Sequence, residues 1–253
     1  MTESSLAQAG TISPLAVVQT STIGDNVTIG EFAIVRAGAS IGSNVVIHPH
    51  AVIAEGVVLG DNVEVFPGAF IGREPKGAGA TARQPVFERA VRIGANTSVG
   101  PHAVIYYDVE IGESTLIGDG ASIREQCRIG ERCIISRYVT INYNTTIGAR
   151  TKIMDLTHIT GNCVIGADVF VSILVGSTND NAIGQHGYSD EHVVGPTVRD
   201  GAMIGAGAML LPAVVVGERS IVGAGSVVTK SIEDDTLVMG TPARPVRRLE
   251  RAP

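Results

Sequence analysis

An aliphatic residue recurs at every sixth position over most of the chain, a period that fits neither the 3.6-residue turn of a helix nor the two-residue alternation of a strand. The first run goes from Val17 through Ile23, Ile29, Val35, Ile41, Ile47, Ile53, Leu59 and Val65 to Ile71. A second starts at Ile93 and passes through Ile105, Ile123, Ile141 and Ile159 to Val171, and a third runs from Val198 to Val228. Glycine commonly follows the aliphatic, as at Gly24 and Gly94, and a small residue stands four positions after it, as at Val27, Ala33 and Ala39.

A hexad of this kind is part short strand and part turn, too small to bury its own aliphatic. Three in succession close a triangular coil, and stacking the coils lays each aliphatic on the one 18 residues away, as with Ile105, Ile123 and Ile141. The ten, fourteen and six in-frame aliphatics predict about ten coils, separated by the usual strand spacing of roughly 4.8 Å. Asn26, Asn44 and Asn62 fall on one corner of three successive coils, where a turn favours a residue that tolerates the left-handed region.

The period breaks twice, so residues 72–92 and 172–197 are expected to loop out of the wall. Such loops are either tolerated insertions or flaps over a substrate. The second carries a polar group of His186, Tyr188, Asp190, Glu191 and His192 with no metal-ligand spacing. After Val228 a linker, one strand around Leu237–Met239 and a basic segment are expected. Its Arg244, Arg247, Arg248 and Arg251 form either a solvated helix face or a phosphate contact. The predicted fold is therefore all-β: a parallel β-helix over residues 1–228 with two external loops, then a linker, strand and short helical tail over 229–253.

Composition changes the picture little. The absence of Trp and an aromatic share of 4% suit a narrow core, and a formal charge of −6 argues against nucleic acid or a membrane as partner. The first ten residues show no secretory signal or long apolar run, which makes a cytoplasmic protein the default. Cys127, Cys133 and Cys163 all occupy the small-residue slot. Cys127 and Cys163 share a column two coils apart, roughly 9.6 Å, too far for a disulfide, so all three read as buried packing.

The hexads, together with the IGAGA at 204–208, the VGAGSVVTK at 222–230 and the PAR at 242–244, resemble the hexapeptide-repeat acyltransferases, the left-handed parallel β-helix family. That resemblance implies a homotrimer binding acetyl-CoA in grooves between prisms, with no metal. The pantetheine groove would map to Gly205, Ala206, Gly223 and Ala224, with Lys230 and Arg244 near the nucleotide phosphates. Corner geometry alone accounts for the same glycines. The STNDN at 177–181 and VGPTV at 194–198 are most similar to enzymes that N-acylate nucleotide-linked amino sugars. This implies Asn142, Asn144 and Asn179 as substrate contacts, although Asn144 and Asn162 also read as ordinary corner residues.

Many relatives place a basic His where this chain has Gly161, in the segment His158-Ile159-Thr160-Gly161-Asn162-Cys163. His158 matches the other His of that segment, and Gly176 stands 18 residues further on. His158 is either the general base, with the Gly176 N–H receiving the oxyanion, or only an exposed contact residue. An amine acceptor survives the loss of the usual His more easily than a hydroxyl, because its lone pair is already free to attack. N-acylation is favoured on that ground. The alternatives are an acyl-carrier-protein-dependent O-acyltransferase of the lipid A type, which usually carries a helical domain after the prism, a zinc enzyme needing three convergent His ligands, and a non-catalytic hexapeptide subunit.

Overall fold

The computed structural model describes residues 10–77, 84–187 and 192–250. Three walls of short strands, parallel except at the C-terminal end of the third, run the length of a solenoid, with strand order advancing by three along each wall up to that end. Among the described residues, wall 1 has eleven strands, from Val17–Val18 to Val227–Val228, and wall 2 has nine, from Ser40–Ile41 to Val215–Val216. Wall 3 has twelve, starting at Thr28–Ile29. Most strands are two residues long, the first facing out and the second buried.

The register follows the predicted 18-residue step: Ile105 pairs with Ile123, Ile123 with Ile141, and Ile141 with Ile159. These four side chains are buried in one column, each contributing roughly 1.5–3 kcal/mol of apolar burial. The small-residue slot has a second use. Thr97, Thr115 and Thr151 donate their hydroxyls to the carbonyls of Gly112, Gly130 and Gly166 in the next coil. The Cys133 thiol does the same to Gly148, at 3.2 Å. All three cysteines are free and buried, and burial pushes the Cys127 and Cys163 thiols up to about 12.

Corners take positive φ as expected at Asn26, Asn44 and Asn62, at 55°, 58° and 58°. They also take it at Phe32, Tyr138, Leu156 and Leu174, where the residue type gives no hint. Each such residue costs roughly 1–2 kcal/mol relative to a right-handed conformation, a cost the stacked coils above and below impose and offset.

Four expectations need correction. The first column begins at Val18, which pairs with Val35, while Val17 is exposed. The second loop does not start at residue 172: Gly176–Ser177 is a regular wall 1 strand between His158–Ile159 and Met209–Leu210. A serine in the aliphatic slot hid this turn, and it accounts for wall 1 exceeding the ten coils expected. Ser177 is buried because its hydroxyl accepts from the Thr160 N–H at 2.9 Å and donates to the His158 carbonyl at 3.2 Å. The first loop is likewise shorter, since Gly72 and Arg73 extend the strand Phe70–Arg73 and Val91 begins the strand Val91–Ile93.

Finally, the tail is not helical. Thr236–Met239 closes wall 3 in parallel with Ile221–Val222, and Arg244–Arg248 turns back antiparallel to it. Pro245 removes one donor, but an edge strand tolerates this. No helix among the described residues is long and apolar enough to cross a membrane.

Candidate active site

His158 projects outward from wall 1 with Thr140 one coil before it and Gly176 one coil after. Its Nδ1 lies 2.7 Å from the Thr140 hydroxyl. Partial burial lowers its pKa from the usual 6.5, so the neutral ring predominates at pH 7. If Nδ1–H donates to Thr140, the Nε2 lone pair is free to take a proton.

Gly176 stands beside His158, but its N–H donates to the Ala208 carbonyl at 3.0 Å in the wall ladder. A Cβ there would meet the Met209 thioether methyl at 2.7 Å, so Met209 lies over this glycine. The oxyanion role expected of the Gly176 N–H therefore has no free donor behind it.

Gly161, where relatives would place a His, is closed off by Tyr143. A Cβ on Gly161 would lie 2.7–3.0 Å from three atoms of the Tyr143 ring. The substitution and the aromatic one coil earlier thus belong together. Sequence reading identified Gly161 but missed Tyr143, because nothing in a lone tyrosine signals which coil it folds across.

The expected substrate-binding asparagines divide. Asn144 has φ 51° and its amide donates to Asn162 at 2.9 Å, which makes it a corner residue. Asn179 donates to the Gly161 carbonyl at 3.1 Å while its own carbonyl accepts from the Val194 N–H at 2.8 Å. It ties the neck of the second loop to the coil bearing Gly161. Asn142 is half-buried on the coil of Thr140, and its side chain makes no hydrogen bond among the described residues. Of the polar group in the second loop, His186 and His192 face one another with ring centroids 6.0 Å apart; Tyr188, Asp190 and Glu191 lie outside the described residues.

The glycines of the expected thioester groove also divide. A Cβ on Gly205 would meet the Ala224 nitrogen at 2.5 Å, and one on Gly223 the Met239 side chain at 2.7 Å. Those two are required by coil stacking. Gly207 and Gly225, each the last glycine of its GAG, have open space where a Cβ would be, with φ 65° and 66°. They form a bare, exposed strip beside Ala206 and Ala224. Beyond it, Lys230 and Arg244 line one cleft of about 560 Å³ with Arg247 and Arg248, so the structure brings the two expected phosphate contacts together. Arg251 lies outside the described residues.

Comparison with known proteins bears on the repeat and the fold. The family described as bacterial transferase hexapeptide (six repeats) matches residues 20–55, 38–73 and 195–230, and the GMPPB C-terminal domain matches 87–179. A dTDP-3-amino-3,6-dideoxy-alpha-D-galactopyranose 3-N-acetyltransferase of Aneurinibacillus thermoaerophilus is 49% identical over 47 residues, 19% of this chain and 24% of that protein. A galactoside O-acetyltransferase of Lactococcus lactis is 40% identical over 52 residues, 21% of this chain and 25% of that protein. The chain thus spans about a quarter of the length of these curated relatives. Among solved structures, the Arabidopsis UDP-N-acetylglucosamine acyltransferase superposes with a TM-score of 0.57 at 19% identity, over 96% of this chain and 73% of that one. At that identity the likeness is one of fold.

Proposed function

Because this chain belongs to the hexapeptide-repeat family, we propose that it is an acyl-CoA-dependent N-acyltransferase that acetylates the amino group of a nucleotide-linked amino sugar. The observation that carries the reading is the pairing of a neutral, Thr140-bonded His158 with a Gly161 closed by Tyr143. The position a hydroxyl acceptor would rely on for its base is filled by an aromatic ring, whereas an amine needs only a group to collect its proton after attack.

In this reading the thioester lies along the strip of Gly207 and Gly225, with the nucleotide end of the donor at Lys230 and Arg244. The acceptor nitrogen attacks the thioester carbonyl, a C–N bond forms, and collapse of the tetrahedral intermediate expels the thiolate. The ammonium proton passes to His158 Nε2 and the thiolate takes up a proton from solvent. The Asn142 side-chain amide, which makes no hydrogen bond among the described residues, is the donor this reading assigns to the developing oxyanion in place of the Gly176 N–H. A single prism offers flat walls rather than a deep pocket, and ligand sites are concave; the reading therefore includes a homotrimer with its sites between neighbours.

The test is release of free thiol from acetyl-CoA in the presence of a panel of nucleotide-linked amino sugars, with the corresponding hydroxyl sugars as controls. Release with an amino sugar and not with its hydroxyl counterpart supports the reading. Release with no amino sugar overturns it, and a fully active monomer in sedimentation analysis removes the homotrimer from it.

A further inference from the structure

The first loop is not a free insertion. Phe87 stacks on Tyr107 with centroids 6.1 Å apart, Arg89 ion-pairs with Glu74 at 2.6 Å, and the Glu88 N–H reaches Asp108. Where this loop leaves the wall, the pairing of Phe70–Arg73 with Val104–Tyr106 slips by one residue, so that Arg73 lies opposite Tyr106. Gly72 makes the slip possible with a φ of 90°. A register slip of this kind re-aims side chains.

What it aims them into is a cleft of about 170 Å³ lined by Arg73, Lys76, Tyr106, Arg124 and Tyr143. The Arg73 and Arg124 guanidinium carbons lie 4.8 Å and 5.0 Å from the Tyr106 ring centre. Arg73 donates to the Tyr106 hydroxyl. Arg124 is gripped through Nε and Nη2, at 2.9 Å and 3.2 Å, by Glu125, whose side chain is fully buried. Lys76 has no ion pair among the described residues.

Three cations thus line one cleft on a protein of net charge −6, and among the described residues no carboxylate lines it. Buried and aromatic neighbours hold the two arginines in place, which lowers the ordering cost of binding an anion. The cleft is too small for a whole ligand, since ligand pockets usually exceed roughly 300 Å³, so it suits one group of a larger molecule. Arg124 follows Ile123, two coils from Ile159 on the same wall, which sets the cleft roughly 9.6 Å from the His158 level. Tyr143 lines the cleft and also covers Gly161, so the two sites share a wall.

We propose that this cleft is a subsite for an anionic group of the acceptor, a phosphate or a carboxylate, held by Arg73, Lys76 and Arg124 while the amine sits at His158. The inference deepens the acyltransferase reading by placing the acceptor's charge, and its test uses binding alone, without acyl donor. Calorimetric titration of the intact protein with inorganic pyrophosphate, UDP and glucuronate distinguishes a diphosphate from a carboxylate. Lys76→Glu is the variant of choice, because Lys76 makes no ion pair among the described residues, whereas removing Arg124 would take an ion-pair partner from the buried Glu125. Lys152→Glu, with the same charge change on exposed wall 3, is the control.

The expected result is binding of at least one of the anions, weakened roughly tenfold or more by Lys76→Glu, as loss of one charge-assisted hydrogen bond implies, and unchanged by Lys152→Glu. Binding of this kind without acyl transfer to any amino sugar would keep the subsite and discard the reaction. No binding of any of the three anions, or equal weakening by both variants, would overturn the subsite.

Discussion

Replacing Thr140 by valine tests the proposed chemistry more sharply than replacing His158 alone. The 2.7 Å contact between Thr140 and His158 Nδ1 is the ring's one polar anchor among the described residues. If His158 takes the amine proton, His158→Ala should lower kcat by roughly 10² to 10⁴ with little change in CoA binding. Thr140→Val leaves the imidazole but frees its orientation and tautomer. An ordinary hydrogen bond contributes about 0.5–1.5 kcal/mol, so kcat should fall roughly two- to tenfold. The two effects should not add: once His158 is alanine, Thr140→Val should cost nothing further. The assay is initial-rate thiol release at saturating acetyl-CoA. Burial lowers the His158 pKa below 6.5, so kcat/KM should show a His158 limb as pH drops below that value, beyond the loss from protonating the acceptor amine, and that limb should vanish in His158→Ala. The reasoning fails if Thr140→Val costs as much in the alanine background as in the wild type, or if His158→Ala leaves kcat unchanged across the pH range.

Other expectations follow from single contacts. Ser177→Ala strips the acceptor from the buried Thr160 N–H and should cost about 1–3 kcal/mol, read as a lowered urea midpoint and faster exchange of the Thr160 amide; no shift in either would mean the backbone repairs the ladder itself. Gly225→Asn keeps a residue that tolerates φ 66° but fills the open strip, so the fold should survive while KM for acetyl-CoA rises; unchanged KM would place the thioester elsewhere. With the Cys127 and Cys163 thiols pushed up to about 12, both should resist alkylation at pH 8 in the native protein and react on unfolding. Rapid native labelling of either would contradict their burial.

The hexad was legible in the sequence because each coil repeats one physical problem: an aliphatic that only its neighbours 18 residues away can bury. That made the columns of Ile105, Ile123 and Ile141, the slots of the three cysteines and the asparagine corners readable from spacing alone. The period fell silent where the slot held something else. Ser177 satisfies its coil by hydrogen bonds rather than apolar burial, so the second loop looked longer than it is. The arginine-rich tail has no period, and only the open edge of wall 3 makes it a strand instead of a helix. At the site, sequence singled out His158 and the missing base at Gly161. That Tyr143 lies over Gly161, that the Gly176 N–H is spent in the ladder, and that Arg73 and Arg124 flank Tyr106 were decided by packing between coils and by a one-residue slip in register. Those contacts join residues 18 to 33 positions apart, and linear spacing carries no record of where an outward side chain lies once the coils are stacked.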